Sequence, residues 1–325
     1  MESMESMSAL ERMVDLRLAM HGQLPGARVD AAARKAIAEF LQPGWAARLE
    51  GQGFEVLWPE QGPLRLTVLA WRQPQAWHGS PADHVVVDHL PGDQEAAARA
   101  CAALDTLGPP TADFDLHLDA RLVEVRQHLL LRGLGIDSVT LLGRSAEALA
   151  RLPAPRPLLP SLSIEPVAPR HVGAVVDLFR AVFSAHPRWC WFGAHPIWLE
   201  KLRADLERSA ANPTGAVEVV LRAGAVVGHW ATGISLDNAL WGRKAGMGVV
   251  LHPDLQGQGL LKLAYARMLT AQVAAGVEVF TGGTSQPAVM GLGRVMGRRA
   301  LATWIRRHDR TAFEPAHFEA VLAED

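Results

Sequence analysis

The feature that most constrains this chain is an internal repeat at long spacing. Three stretches of the first half align in the same order with three of the second half, at an offset of 163 or 164 residues: 53–57 with 216–220, 85–89 with 248–252, and 123–133 with 287–297. Each match is weak alone, but three in order at nearly one offset indicate tandem duplication. The chain is therefore predicted to contain one structural unit twice.

Sequence periodicity predicts helices and strands in a similar order in both halves. In the first half the expected helices lie near 8–21, 30–41, 93–107 and 120–132, and the strands at 53–58, 64–72, 84–90, 113–118 and 137–143. In the second half the expected helices lie near 170–184, 195–210, 257–274 and 287–296, and the strands at 162–167, 216–222, 225–235, 244–252, 277–281 and 300–308. This pattern is typical of an α/β fold.

A proline-rich stretch at 153–160, Pro-Ala-Pro-Arg-Pro-Leu-Leu-Pro, separates the two halves and indicates a connector. With 325 residues and 49% apolar content, the chain is long enough to bury two ordinary cores. We therefore predict a first domain at 1–152, a linker at 153–160 and a second domain at 161–325.

The net charge of −2 supplies no global basic field, so a nucleic-acid partner is not expected. The one local basic cluster contains Arg298, Arg299 and the arginines at 306–310. We interpret it as the solvated face of a late strand.

Two cysteines, Cys101 and Cys190, lie far apart and form neither a metal-ligand pair nor a disulfide framework. No apolar run reaches the length of a membrane span, and the acidic, polar start does not resemble a signal peptide. The expectation is a cytoplasmic protein without a membrane partner.

The richest local motif is 246–262, Gly-Met-Gly-Val-Val-Leu-His-Pro-Asp-Leu-Gln-Gly-Gln-Gly-Leu-Leu-Lys. It predicts a short β-branched strand, a tight turn with two glycines, and a helix with an apolar stripe at Leu261, Tyr265, Met268 and Leu269. Glycines at such a turn let backbone N–H groups approach a ligand, and the free N–H groups at the positive end of a helix favour a phosphate. The segment therefore offers a seat for a pyrophosphate.

This stretch resembles the signature of the GNAT superfamily of acyl-CoA-dependent N-acyltransferases, Gln/Arg-x-x-Gly-x-Gly/Ala, two residues beyond a proline that ends a splayed strand. Pro253 ends the strand here, and Gln256 and Gly259 match the signature. Leu261 departs from its small residue, and Lys262 lies where members often carry a base that meets a CoA phosphate. The resemblance implies an α/β fold of two tandem GNAT-like domains, each a mixed, mostly antiparallel sheet flanked by helices.

The same resemblance implies acetyl-CoA as the co-substrate, with no metal. The residues expected to bind it come from the strand end, the turn, the helix start and the next helix: Val249, Val250, Leu251, Gln256, Gly257, Gln258, Gly259, Leu260, Leu261, Lys262 and Gln286.

A second resemblance covers 286–297, which looks like the family's helix that ends in glycine. In that pattern an asparagine opens the helix, a tyrosine lies four residues before the closing glycine, and a phenylalanine often follows it. Gln286, Gly293 and Arg298 occupy these three positions here. The helix frame is kept, but the tyrosine that is the family's usual acid is missing.

The first half departs from the signature at the corresponding turn. Residues 90–96 are Leu-Pro-Gly-Asp-Gln-Glu-Ala, with a single glycine and two acids. Asp93 and Glu95 suit a helix N-terminus but repel a diphosphate. We therefore predict that the first half is a degenerate copy without a cofactor turn, and that the second half carries any chemistry.

Acyl transfer from a thioester to an amine needs a polarised carbonyl, which N–H groups of the splayed strand can provide, and an amine that loses a proton. His229, His252 and Asp237 are the candidates for the base, because histidine titrates near neutral pH and Asp237 lies behind them. A structural role is the alternative for either histidine. Tyr265, the only tyrosine, lies on the apolar stripe of the predicted cofactor helix, so we interpret it as core, with a catalytic role as the alternative. A thiolate with a pKa of about 8.5 can leave largely unaided, so the step can proceed without an acid.

Trp189, Trp191, Phe192 and Trp198 cluster between the first two helices of the second half. The resemblance places an acceptor pocket here, so an aromatic box for an apolar or cationic amine is one interpretation, and ordinary packing is the other. The histidines and cysteine at 186–195 fit no common zinc spacing, so no metal is expected.

The leading hypothesis is an N-acyltransferase that moves an acyl group, first of all acetyl, from acyl-CoA to a small-molecule amine by direct attack in a ternary complex. The alternative is a catalytically silent protein that binds or senses acyl-CoA. A third hypothesis, a tandem aminoacyl transferase that uses charged tRNA, is disfavoured by the net charge of −2. The sequence does not define the acceptor amine, the acyl length or the oligomeric state.

Overall fold

A computed structural model describes residues 2–73, 82–107, 114–185, 196–211 and 216–307 of the chain. The first half contains α1 (Glu2–Gly22), α2 (Ala31–Leu49), β1 (Gly53–Trp58), β2 (Leu66–Gln73), β3 (Ala82–His89), α3 (Gln94–Thr106), β4 (Phe114–Asp119), α4 (Val123–Leu131), β5 (Gly135–Arg144) and α5 (Ser145–Arg151). The sequence pattern did not predict α5.

The second half contains β6 (Leu162–Pro166), α6 (Val172–Ser184), α7 (Pro196–Ala211), β7 (Val217–Arg222), β8 (Ala225–Asn238), β9 (Gly242–Leu251), α8 (Leu260–Ala274), β10 (Val279–Thr284), α9 (Pro287–Val295) and β11 (Arg299–Arg307). Short 3-10 turns at Pro169–His171 and Pro253–Leu255 precede α6 and α8. Among the described helices, none is both long enough and apolar enough to span a bilayer.

The strands form one mixed sheet of eleven strands in the order β1-β2-β3-β4-β11-β5-β10-β9-β8-β7-β6. Neighbours are antiparallel except for β3 with β4 and β9 with β10, which are parallel. The α/β fold of two similar halves, each with a mixed and mostly antiparallel sheet, is confirmed.

The two halves exchange their last strands at the centre of this sheet. β11, from the second half, lies between β4 and β5 of the first half. β5, from the first half, lies in turn between β11 and β10 of the second half. Each half therefore completes the sheet of the other, and the domain limits at 1–152, 153–160 and 161–325 stay a prediction about the repeat.

Side-chain alternation along the strands supplies a core on both faces of the sheet. In the second half, Val217, Val219 and Leu221 of β7 pack against α6 and α7, while Val220 and Trp230 pack on the opposite face against α8. Burial of each such side chain contributes about 1.5–3 kcal/mol. The packing fixes α8 and the turn that precedes it against the sheet.

Each half has a fork where its two parallel strands separate. β9 and β10 are paired only from Lys244 with Val279 to Gly246 with Thr281, so 247–251 of β9 has no strand partner on that side. β3 and β4 are likewise paired over three residues, ending at Val85 with Leu116. A fork of this kind leaves backbone groups at the middle of the sheet open to a ligand.

Candidate functional site

The turn between β9 and α8 is shaped by two glycines in the left-handed region. Gly257 has φ +75° and Gly259 has φ +80°, a conformation that glycine adopts without the steric cost of a β-carbon. The helix therefore begins at Leu260 rather than at Gly257, where the sequence pattern predicted its start.

The same turn exposes a set of unpaired backbone donors. The N–H groups of Gln256 and Gln258 are used within the turn, because they donate to Pro253 O and Leu255 O at 3.0 and 3.4 Å. Four other backbone N–H groups have no acceptor in the described part of the chain. They belong to Gly257, Gly259, Leu260 and Leu261. No side chain caps α8. Such a set of N–H groups at a helix N-terminus favours an anion.

Space above the turn is open. A β-carbon at Gly257 would meet no heavy atom within 4 Å, and one at Gly259 would meet only the Arg156 side chain, at 3.5 Å or more. Arg156 belongs to the proline-rich connector and is exposed, and Lys262 lies in the first turn of α8. Two cations therefore flank the free donors, and the sequence had indicated only Lys262.

The remaining predicted cofactor residues of the turn differ in their surroundings. Leu260 is buried among the residues of β8 and α8 around Trp230, and Leu261 packs against the apolar cluster around Tyr265. Both side chains are therefore held by packing against the protein. The exposed Gln256 and Gln286 face solvent, whereas Gln258 donates to Asp254 O at 2.7 Å.

Strand β9 presents alternate N–H groups to the open side of the fork. The N–H of His252 donates to Val227 O at 2.9 Å, toward β8. Because donors alternate in an antiparallel pair, the N–H groups of Val249 and Leu251 point away from β8 and into the fork. Val250 differs, since its N–H points to β8 and its side chain is buried beside His229.

The predicted base His229 is buried on the face covered by α6 and α7. Its Nδ1 lies 3.0 Å from Glu218 O, and its ring centroid lies 5.9 Å from that of Phe179. Burial lowers the pKa of His229 to about 4. At neutral pH the imidazole is therefore uncharged and has a weak affinity for a proton.

The predicted base His252 is half-exposed at the end of β9. Its Nδ1 accepts from the Asp254 N–H at 3.4 Å, and its side chain lines an open groove beside α6. Asp237 lies in β8, but its side chain falls outside the described residues. No hydrogen bond or ring contact joins His229 to His252 in the part of the chain that is described, so the structure does not assemble a catalytic group from these residues.

One buried side chain corrects the prediction of a solvated basic face. Arg298 is only 5% exposed, and it lies against Phe280 and Tyr265 on the face covered by α8 and α9. Its Nη1 donates to the Tyr265 hydroxyl at 3.0 Å, and its Nη2 donates to Leu141 O and Gly282 O at 2.9 and 3.3 Å. Burial lowers the pKa of the Arg298 guanidinium.

Gly293, where the family pattern has a tyrosine, is the sequence feature that lies next to Arg298 in the structure. A β-carbon at Gly293 would lie 2.9 Å from Leu141 Cδ1 and 3.6 Å from Arg298 Cδ. Leu141 is therefore the side chain that would clash with a β-carbon at position 293, while Arg298 lies at ordinary van der Waals distance from it.

Only part of the predicted aromatic cluster lies within the described residues, and the excluded zinc site at 186–195 lies outside them. Trp189, Trp191 and Phe192 lie outside the described residues. Trp198 packs in α7 with its ring centroid 5.8 Å from Phe179 and 5.6 Å from Phe183, which is ordinary core packing on the described side. Within the described ranges, no three histidine, cysteine or acidic side chains are grouped as a metal site would need.

The turn before α3 in the first half has the opposite character. The Asp93 carboxylate accepts from the Ala96 N–H at 3.1 Å and so caps the helix. Arg65 holds this carboxylate through two hydrogen bonds of 2.9 and 2.8 Å and also contacts Glu95. The Arg65 guanidinium lowers the pKa of the Asp93 carboxyl. Carboxylates therefore occupy the place where an anion would bind.

The arrangement of helices and strands matches solved structures. A GCN5-related N-acetyltransferase from Sphaerobacter thermophilus superposes with a TM-score of 0.56 at 14% identity, over 92% of this chain and 92% of that one. A tandem GNAT protein from the clavulanic acid biosynthesis pathway gives 0.46 at 11% identity, over 91% of this chain and 93% of that one. A GNAT-family acetyltransferase from Colwellia psychrerythraea gives 0.45 at 12% identity, over 78% and 84%.

No protein-family model matches the sequence, and no curated protein matches it significantly. The likeness is therefore one of structure, and the superposition with a TM-score of 0.56 carries it. This chain has the fold of the GCN5-related N-acetyltransferases, present twice in tandem.

Proposed function

We propose that the protein is an acyl-CoA-dependent N-acyltransferase that transfers an acyl group, first of all acetyl, to a small-molecule amine. The observation that carries this proposal is the turn before α8, where four N–H groups with no acceptor among the described residues lie beside an open fork of the sheet. The described part of the first half has no comparable turn, because Asp93 fills it. We therefore assign the chemistry to the second half and regard the first as a degenerate copy.

The turn accounts for the diphosphate of the donor. Hydrogen bonds from N–H groups to a charged oxygen are about twice as strong as neutral ones. The N-terminus of the fifteen-residue helix α8 adds a positive dipole end. Arg156 and Lys262 supply the only whole charges that this proposal requires.

The fork accounts for the thioester. In the reaction the amine nitrogen attacks the carbonyl carbon, a C–N bond forms, the C–S bond breaks, and CoA leaves as a thiolate. The N–H groups of Val249 and Leu251 point into the fork, where one of them can donate to the oxyanion of the tetrahedral intermediate. Neither group has to reorganise during the reaction, because β8 holds β9 along its length.

The amine must lose a proton, and His252, His229 and Asp237 remain the proposed acceptors. His229 suits the role poorly, because a base works best with a pKa close to the pH of the reaction. Burial lowers the pKa of His229 to about 4, so this imidazole takes a proton poorly at neutral pH. His252 is half-exposed at the end of β9, so an amine can reach its side chain.

A second candidate function is a silent acyl-CoA-binding or sensing protein. It is favoured by Gly293, which removes the side chain that the family places on this helix. The two functions differ in turnover rather than in donor binding.

Calorimetric titration of acetyl-CoA, followed by assay of free thiol with a panel of small amines, tests the proposal. We expect binding in the micromolar range and amine-dependent release of CoA. Acetyl-pantetheine, which lacks the diphosphate, should bind about 100-fold more weakly, a loss of about 2.7 kcal/mol. Binding without turnover on any amine would support the silent protein, and no binding would reject both functions.

A further inference from the structure

A cavity of about 140 Å³ lies at the fork of the first half, on the face of the sheet that α1 and α2 cover. Asp88 of β3 and Asp119 of β4 both line it, and each lies three residues beyond the last pair of these strands, Val85 with Leu116. A cavity of about 150 Å³ holds a molecule of the size of benzene. The fork of the first half therefore has room for a small organic ligand, although the turn before α3 is closed.

The second half supplies part of the wall of this cavity through the hairpin that joins β8 to β9. Leu240 and Trp241 line the cavity, and Asn238 Oδ1 accepts from their N–H groups at 3.1 and 3.0 Å. The Leu240 carbonyl accepts from the Arg28 N–H at 2.9 Å and lies 3.3 Å from His21 Nε2. A ligand in the cavity therefore contacts both halves of the chain.

This cavity is separate from the turn before α8. β4 and β10 are connected through β11 and β5 by three antiparallel pairings, so these two strands run in opposite directions. Each fork opens toward the carboxyl ends of its parallel strands, past Val85 in β3 and past Gly246 in β9. The two forks therefore open at opposite ends of the sheet.

Asp88 is a buried carboxylate that uses few of its acceptor positions. Its side chain is 4% exposed, and its two oxygens share one donor, Arg17 Nη1, at 3.2 and 3.1 Å. A carboxylate can accept about four hydrogen bonds, and no other group in the described part of the chain donates to Asp88. Burial raises the pKa of the Asp88 carboxyl in spite of Arg17, and the charge of Asp119 adds to this increase. A further cation would therefore stabilise the ionised carboxylate.

The polar neighbours from α1 and β4 do not provide that cation. Arg121 is engaged by the Asp119 carboxylate through two hydrogen bonds of 2.9 and 2.7 Å. Burial lowers the pKa of His21, so its imidazole is uncharged at neutral pH. The Trp241 ring lies edge-on to His21, with the ring centroids 4.8 Å apart, and the face of an indole attracts an organic cation.

We propose that this cavity binds a small organic ammonium ion, whose N–H groups donate to Asp88 and whose apolar part contacts Trp241. A primary ammonium group carries three donors and no acceptor, so it matches the unused acceptor positions of the carboxylate. An anionic ligand would instead lie beside Asp88 and Asp119, which repel it. Binding here does not require acyl transfer in the second half, and it gives the first half a ligand of its own.

n-Butylammonium is a probe of suitable size, and butyrate is its anionic counterpart. By calorimetric titration of the full chain at neutral pH, we expect a Kd of about 1 mM for n-butylammonium and binding of butyrate that is weaker by at least about 10-fold. Methyl NMR locates the bound probe, because Ile37 lines the cavity whereas Ile164 lies in the edge strand β6. The Ile37 methyl signal should shift during the titration and that of Ile164 should not. No shift at Ile37, or equal affinity for the two probes, would overturn the proposal.

Asp88→Asn removes the charge and keeps an oxygen that accepts from Arg17, so we expect it to bind n-butylammonium about 10-fold more weakly. The matched control is Asp105→Asn, because Asp105 is paired with Arg132 at 3.0 Å outside the cavity, and it should keep wild-type affinity. Wild-type affinity in folded Asp88→Asn, or an equal loss in the control, would contradict the proposal. If urea unfolding shows that Asp88→Asn is not folded, Asp119→Asn decides: we expect a loss of about 3-fold, and an unchanged Kd would reject the site.

Discussion

Helices α3 and α8 begin at corresponding places in the two halves, each after the strand that leads to a fork. At α3 the Asp93 carboxylate caps the helix and Arg65 holds the carboxylate. At α8 the N-cap is Gly259, which has no side chain to offer. The same element of the fold is thus closed by the protein in one half and left open in the other.

This difference shows how few residues separate a helix N-terminus that the protein caps from one that it leaves open. An N-cap carboxylate satisfies a donor of the helix and supplies the negative charge that the helix N-terminus favours. It also repels any second anion. A helix that begins at glycine loses a few tenths of a kcal/mol relative to the best caps, and in exchange its donors stay available.

The largest expected effect comes from placing a carboxylate at the open turn. Gly257→Asp puts a negative charge among the free N–H groups, so we expect the affinity for acetyl-CoA to fall about 1,000-fold, or about 4 kcal/mol. Aspartate is among the residues that best tolerate the left-handed region. Calorimetric titration measures the change.

The matched control is Gly92→Asp, at the capped turn. Gly92 also has positive φ, and a β-carbon there also meets no atom within 4 Å. We expect a similar loss of stability in the two variants but wild-type affinity in Gly92→Asp. Equal affinities in the two variants would show that the α8 turn does not hold the donor.

A smaller effect concerns stability, and it comes from the sheet faces that α1 and α2 cover in the first half and α6 and α7 cover in the second. His229 faces α6 and α7, whereas the first half has Leu69 facing α1 and α2. Burial lowers the pKa of His229 from 6.5 to about 4, so between these pH values the unfolded chain binds a proton that the folded chain does not. Stability is therefore complete above pH 6.5 and falls as the pH drops toward 4, by about 3 kcal/mol.

His229→Leu makes the second half resemble the first at this point. We expect the variant to lose about 3 kcal/mol less free energy of unfolding than wild type between pH 6.5 and 4. At neutral pH it should be less stable by about 1 kcal/mol, because Glu218 O loses its partner. Urea unfolding at several pH values checks both, and parallel pH curves would contradict the assignment.

The smallest effect is expected when the Asp93 cap of α3 is removed from the first half. Asp93→Ala removes the cap of α3 and the partner of Arg65, so stability should fall by about 1–2 kcal/mol. Asp93→Asn keeps a capping oxygen and should lose less. We expect one acetyl-CoA per chain in both variants, because Glu95 remains beside Arg65; a second bound molecule would show that the cap alone separates the two turns.

Most of the fold followed from the sequence, because apolar periodicity and turn residues are local signals. The pattern predicted the strand at Gly53–Trp58 to the residue, and it ended one strand at 222 and began the next at 225, on either side of Ala223 and Gly224, which both have positive φ. It placed the start of α8 three residues early, since two left-handed glycines delay the helix. It did not show that β5 and β11 change places, because strand order depends on pairings far apart in the chain.

The glycine turn of the candidate site was predictable, because a local backbone conformation defines it. The surroundings of Arg298 and His229 were not, because tertiary packing defines them. The glycine spacing indicated the left-handed turn before α8, and the acids at 93 and 95 indicated the capped start of α3. Arg298 was mistaken for a surface residue, because nothing local distinguishes a buried arginine from an exposed one. The protonation of His229 depends on its neighbours from α6 and β7, which the sequence alone does not bring together.

The exchange of β5 and β11 has a consequence for how the chain is made. β4 pairs with β11 from Asp119 with Ala302 to Phe114 with Arg307, so the first half cannot close its sheet until residues 302–307 have been synthesised. Until then β4 and β5 present unpaired edges, which are sites of aberrant association. Pairings across so many residues also slow folding. The strand exchange therefore ties the two halves together: neither half has its full set of strand neighbours without a strand from the other.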